Sequence, residues 1–112
     1  MNKIQKTVFS VLMLLVATTA LADMQDKRKA FIQKLINNGI FQKVEVRGSL
    51  PHLWVKPAFY ALSYDDKSSF VNVVYAYYIT MDSNYNLVVL YDSRSGKKVG
   101  VYGETYGGLK MY

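Results

Sequence analysis

The longest apolar run of the chain lies at its start, and its form is that of an export leader. Lys3 and Lys6 precede Val8-Phe9-Ser10-Val11-Leu12-Met13-Leu14-Leu15-Val16, and Ala20-Leu21-Ala22 follows as a small-x-small peptidase site. The apolar core is shorter than the ~20 residues that span a bilayer. The pattern therefore predicts a cleaved signal peptide over residues 1–22 and a mature chain from Asp23, with a retained membrane anchor as the alternative. Residues 23–112 are enough for one small domain.

Past Asp23 the periodicity changes. Met24, Phe31, Ile32, Leu35 and Ile36 recur at helical spacing, with Lys27, Lys29, Gln33 and Lys34 elsewhere, which predicts a helix from Met24 to about Asn38, ended by Asn37-Asn38-Gly39. Val44-Glu45-Val46-Arg47 alternates, Gly48-Ser49-Leu50-Pro51 turns, and Leu53-Trp54-Val55 returns to Pro57, so a hairpin with one wet face follows. Ser63-Tyr64-Asp65-Asp66 fits a capping box. It opens a second helix whose apolar arc runs through Phe70, Val71, Val73, Val74, Tyr77, Tyr78 and Met81. The unbroken run Leu87-Val88-Val89-Leu90-Tyr91 reads as the best-buried strand, and Asp92-Ser93-Arg94-Ser95-Gly96-Lys97 as a tight turn into Lys98–Tyr102. The tail 103–112 either adds an edge strand or stays mobile. The fold class is α+β, in the order α-β-β-α-β-β, with two helices packed on a small antiparallel sheet.

That order resembles the BON domain of exported bacterial proteins, over roughly Met24 to Tyr91, and the resemblance implies a phospholipid-associated module. More locally, Trp54-Val55-Lys56-Pro57-Ala58-Phe59-Tyr60-Ala61-Leu62 ahead of the capped helix, with Asp92-x-Arg94-x-Gly96-Lys97 downstream, is similar to stretches in small exported bacterial proteins of unassigned activity.

Composition narrows the functional classes. There is no cysteine, which excludes disulfides, thiol catalysis, Cys-ligated zinc and a lipidated cysteine, so packing or a partner has to supply the stability that small exported domains often draw from disulfides. Beyond the leader lie twelve basic and eight acidic residues, a mildly basic balance, and all ten tyrosines. The leader's short basic start reads as bacterial, which predicts a periplasmic location or, alternatively, secretion.

No catalytic set accompanies these elements. His52 is the only histidine, stands without a Gly-x-Ser-x-Gly nucleophile motif, and reads as a loop residue packed on an aromatic neighbour. Asp82-x-Asn84-x-Asn86 matches the first ligand positions of a calcium loop, but Leu87 and Ser93 stand where that loop needs glycine and glutamate, so it reads as a polar connection. Asp65 and Asp66 point about 100° apart on a helix and read as first-turn charges rather than a catalytic pair. No residues for a cofactor or metal are found.

The remaining candidate is the basic group Arg94, Lys97 and Lys98 on the last hairpin, with Tyr102 and Tyr106 close behind. Cations interleaved with an amphipathic ring suit a partner protein or an anionic surface, and export argues against nucleic acid. The expectation is a non-enzymatic binding or accessory module of the cell envelope. Its partner would be an envelope protein, anionic lipid or cell-wall polymer. A small cell-wall-active hydrolase and a dimerising structural subunit, a homodimer, are the alternatives.

Overall fold

The computed structural model describes residues 2–112, with side chains from residue 20 onward. Met1 and the side chains of Lys3, Lys6 and residues 8–16, which carry the leader reading, lie outside the described residues. The first helix, α1, is continuous in backbone from Asn2 to Asn37 and so runs through the expected cleavage point. Among the described residues no helix is long and apolar enough to cross a membrane. After α1 come β1 (Phe41–Arg47), β2 (Leu50–Val55), a single turn α2 (Pro57–Tyr60), α3 (Tyr64–Met81), β3 (Val88–Asp92), β4 (Lys98–Gly103), a 3₁₀ turn (Glu104–Tyr106) and β5 (Gly108–Met111).

Local chemistry accounts for most of these boundaries. α1 ends in a Schellman arrangement: the Ile40 N–H donates to the Leu35 carbonyl at 3.0 Å, the Gly39 N–H donates to that of Ile36 at 3.1 Å, and Gly39 takes the required positive φ of 78°. Pro57 closes β2 and opens α2, where its missing N–H has no cost. Ser63 caps α3 as the sequence predicts, its hydroxyl accepting from the Asp66 N–H at 3.1 Å.

The class is α+β, as expected, but the sheet is mixed rather than antiparallel throughout. Its five strands lie in chain order, with β1–β2 and β3–β4–β5 antiparallel and β2–β3 parallel. The cause is the connection. The 18 residues of α3 rise about 27 Å, enough to carry the chain back to the end of the sheet where β2 began. β3 then re-enters alongside β2 and points the same way, as strands joined by a helical crossover do. Of the two alternatives for residues 103–112, the edge strand is what forms: β5 pairs with β4 from Gly100↔Met111 to Gly103↔Gly108.

All the helices lie on one face. Ile32 and Leu35 of α1, Phe59 of α2, and Val71, Val74 and Tyr75 of α3 form one core with Phe41, Leu53, Val55, Val88, Leu90 and Leu109 of the sheet. Phe31 meets Phe70 edge to face at 5.7 Å, and the Gln25 amide donates to the Tyr77 carbonyl at 3.0 Å, so α1 and α3 run antiparallel over the strands. The opposite face has no helical cover. The register places on it Lys43, Glu45 and Arg47 of β1, His52 and Trp54 of β2, Val89 and Tyr91 of β3, Lys98 and Val101 of β4, and Lys110 of β5.

Candidate functional site

The open face is built from alternation. In β1 the residues that point away from the helices are Lys43, Glu45 and Arg47. Glu45 sits between the other two and accepts from both, at 3.3 Å from Lys43 Nζ and 3.0 Å from Arg47. The hydrogen bond from Lys43, then that from Arg47, holds the Glu45 carboxyl below its ordinary range. The next strand carries Trp54, with Lys43 Nζ 4.5 Å and the Arg47 guanidinium carbon 4.7 Å from its ring centroid. Both are within cation–π range. Trp54 is only 9% exposed although no helix lies over it; the stems of these charged residues cover it.

The parallel register then brings Tyr91 opposite Trp54. Trp54 and Tyr91 stack with centroids 5.2 Å apart, and His52 stacks on Tyr91 at 5.3 Å. Loss of solvent, and next the nearby charge of Arg47, push the His52 pKa down, so the ring is neutral at pH 7. Further across the face, Lys98 Nζ is 5.6 Å from the Tyr112 ring and Lys110 Nζ is 5.8 Å from that of Tyr106. The face therefore presents three stacked aromatic rings flanked by Lys43, Arg47, Lys98 and Lys110, with Glu45 as the one carboxylate among them.

The hairpin cations adjoin one end of this face. Asp92 fixes their loop: one carboxylate oxygen accepts from the backbone N–H of Ser95 at 2.7 Å and of Arg94 at 3.1 Å, and the other accepts from the Tyr60 hydroxyl at 2.8 Å. The Ser93 N–H donates to the Val55 carbonyl at 2.9 Å, which ties the loop to the end of β2. Gly96 takes the positive φ, 72°, expected of it. Arg94, Lys97 and Lys98 are exposed and have no ion-pair partner among the described residues.

Of the five residues the sequence singles out, Arg94, Lys97 and Lys98 thus stay together. Tyr106 is 46% exposed beside Lys110, at the other end of β4. Tyr102 is a correction, because it lies on the helix side of the sheet. Its hydroxyl donates to Asn72 Oδ1 at 2.7 Å and its ring lies 5.2 Å from that of Tyr75. Simple alternation from Lys98 would put Tyr102 on the same face as that lysine. A bulge intervenes: Tyr91 pairs with Lys98 but Leu90 pairs with Gly100, so one extra residue flips every later side chain of β4.

Sequence reading missed Lys43, Trp54, Tyr91 and Lys110 as members of one surface. The signal for Lys43 was the wet alternation of β1, but the parallel register that gathers Trp54 and Tyr91 is not a local property. The other candidates resolve into structural roles. Asp82 follows the last residue of α3 and its carboxylate accepts from the Asn84 N–H at 2.9 Å. Asp65 and Asp66 sit exposed in the first turn of α3. His52 pairs across the strands with Glu45, but Glu45 is taken up by Lys43 and Arg47. No family model, curated protein or solved structure matches the chain.

Proposed function

We propose that the chain is a non-enzymatic accessory module of the bacterial cell envelope, periplasmic or secreted, that attaches to an anionic envelope surface through its open sheet face and the β3–β4 hairpin. The observation that carries this reading is the grouping of Lys43, Arg47, Lys98 and Lys110 around a stacked aromatic floor, with a single carboxylate to oppose them. The stacking holds the floor in place and the loop bonds of Asp92 hold Arg94 and Lys97 beside it, so little ordering is left to oppose binding. Each basic residue next to an anionic leaflet contributes about 1 kcal/mol, so four, less the opposing charge of Glu45, supply about 3 kcal/mol, a dissociation constant of several millimolar. Arg94 and Lys97 strengthen that attachment. Affinity for phospholipid of the BON kind is part of this proposal.

The test is vesicle binding. Trp54 is the only tryptophan and lies under two of the proposed contact residues, so its emission reports on the face directly. Vesicles rich in phosphatidylglycerol should bind the protein and change that emission, whereas phosphatidylcholine vesicles should not, and added salt should reverse the effect because exposed charges are screened beyond about 8 Å at physiological ionic strength. Replacing Arg94, Lys97 and Lys98 together by glutamine should weaken binding and leave the fold intact. If neither anionic vesicles nor cell-wall material retain the wild-type chain in a salt-sensitive manner, the reading fails, and a protein partner held through the exposed tyrosines replaces it.

A further inference from the structure

On the helix-covered side, at the end of β4 remote from the hairpin, α3 and the β4–β5 connection flank an open cleft of about 410 Å³. Asn72 and Tyr75 of α3 form one wall, and Tyr102, Glu104 and the backbone of Gly107 and Gly108 form the other. Its volume falls at the small end of the range for ligand sites. Among the described residues, two of its groups have no protein partner. Tyr75 is 9% exposed, and among the described residues its hydroxyl forms no hydrogen bond to protein. Buried polar groups nearly always have a partner. Yet among the described residues no side-chain oxygen or nitrogen is both sealed from solvent and unbonded. The phenol oxygen therefore opens into the cleft.

The second group is Glu104. It is exposed at the rim, and no lysine or arginine among the described residues lies within ion-pair distance of it. Glu104 and Tyr75 line the same cleft; burial first, and then the charge of Glu104, push the Tyr75 phenol above its ordinary range. The Tyr102 hydroxyl is committed as a donor to Asn72.

We propose that this cleft binds a small organic cation with an alkylammonium head, which sits between the Glu104 carboxylate and the rings of Tyr75 and Tyr102. A carboxylate with no partner disfavours an anion and favours a cation. The Tyr75 and Tyr102 rings, tilted 48° to each other with centroids 5.2 Å apart, line the cleft beside that carboxylate, and ammonium groups are attracted to such rings. The site is separate from the anionic-surface attachment and does not depend on it.

Amide correlation spectra of the isotope-labelled full chain test this. Titration with n-butylammonium or choline chloride should give saturable shifts at the amides of Tyr75, Gly107 and Gly108, and sodium butyrate and sodium chloride at matched ionic strength should not. Glu104→Gln should weaken both cations several-fold. Tyr75→Phe keeps the ring but removes the hydroxyl, so it should weaken n-butylammonium and spare choline, whose quaternary nitrogen has no proton to donate. The same spectra show that each variant is folded. Shifts no larger than those from sodium chloride, equal shifts from butyrate, or an affinity unchanged by Glu104→Gln in the folded variant would each overturn the proposal. The hairpin triple-glutamine variant should bind the cations as wild type does, so loss of vesicle binding and loss of this site are separable.

Discussion

Asp92 shows how much of the hairpin's order a single carboxylate can hold. The backbone N–H of Ser95, then the Tyr60 hydroxyl, hold its carboxyl down to about 2 from an ordinary 3.8. Loss of solvent around the phenol, then its bond to Asp92, push Tyr60 up to about 12 from 10. The two shifts have opposite pH consequences. A depressed carboxyl contributes stability that is complete above 3.8 and lost as the pH falls towards about 2. A raised phenol contributes stability that is complete below 10 and lost as the pH rises towards about 12. Denaturation curves collected across pH should show both losses in the wild type, with the acid loss diminished in Asp92→Asn and the alkaline one in Tyr60→Phe. At the start of α3, Ser63→Ala removes one capping bond and should cost about 1 kcal/mol. Val74 is fully buried at the centre of the α3 face, so Val74→Ala should cost roughly 2–3 kcal/mol through the cavity it leaves. A chemical denaturation midpoint for Val74→Ala no lower than that for Ser63→Ala would mean that the buried face of α3 is wrongly assigned. The cap was legible in the sequence because a serine and the N–H it satisfies lie three residues apart. The facing of Tyr102 was not, because it depends on a bulge that only pairing with β3 reveals.

At the scale of elements, the long periodic segments were the legible ones: α3, β3 and the β4 hairpin fall where their apolar patterns place them, within a residue or two. The parallel β2–β3 pair was less so. Strand polarity is a property of the connection, and the clue was the length of helix between Val55 and Val88 rather than any residue in either strand. The edge strand β5 depends on a close approach. A methyl group on Gly100 would meet the Lys110 carbonyl oxygen at 2.8 Å and Met111 Sδ at 3.0 Å, the first of which is backbone and cannot step aside. Gly100→Ala should therefore push β5 away from β4 and destabilise the chain by roughly 1–3 kcal/mol, as overpacking does. Hydrogen exchange should show the amides of 108–111 losing protection before those of β3.

For the whole molecule, the two faces of the sheet differ in what covers them. One is buried under α1, α2 and α3; the other is left to aromatic and basic side chains. The basic hairpin that marks this second face was visible in the sequence, but the ring stack between β1 and β4 was not, since Trp54 and Tyr91 are brought together by register over a long separation. The same separation has a kinetic side. The β1–β2 hairpin and the β3–β4–β5 meander each close over short turns, and what joins them is one parallel pair across a helical excursion. Closing so long a loop costs more chain entropy than closing either half, and folding slows as contacts become more distant in sequence. Weakening the seam itself, with Leu53→Ala or Leu90→Ala, should therefore slow refolding in stopped-flow experiments, whereas Val46→Ala, within the first hairpin, should not. The local turns are therefore expected to form early, and the parallel seam that commits the chain to its folded state to close last.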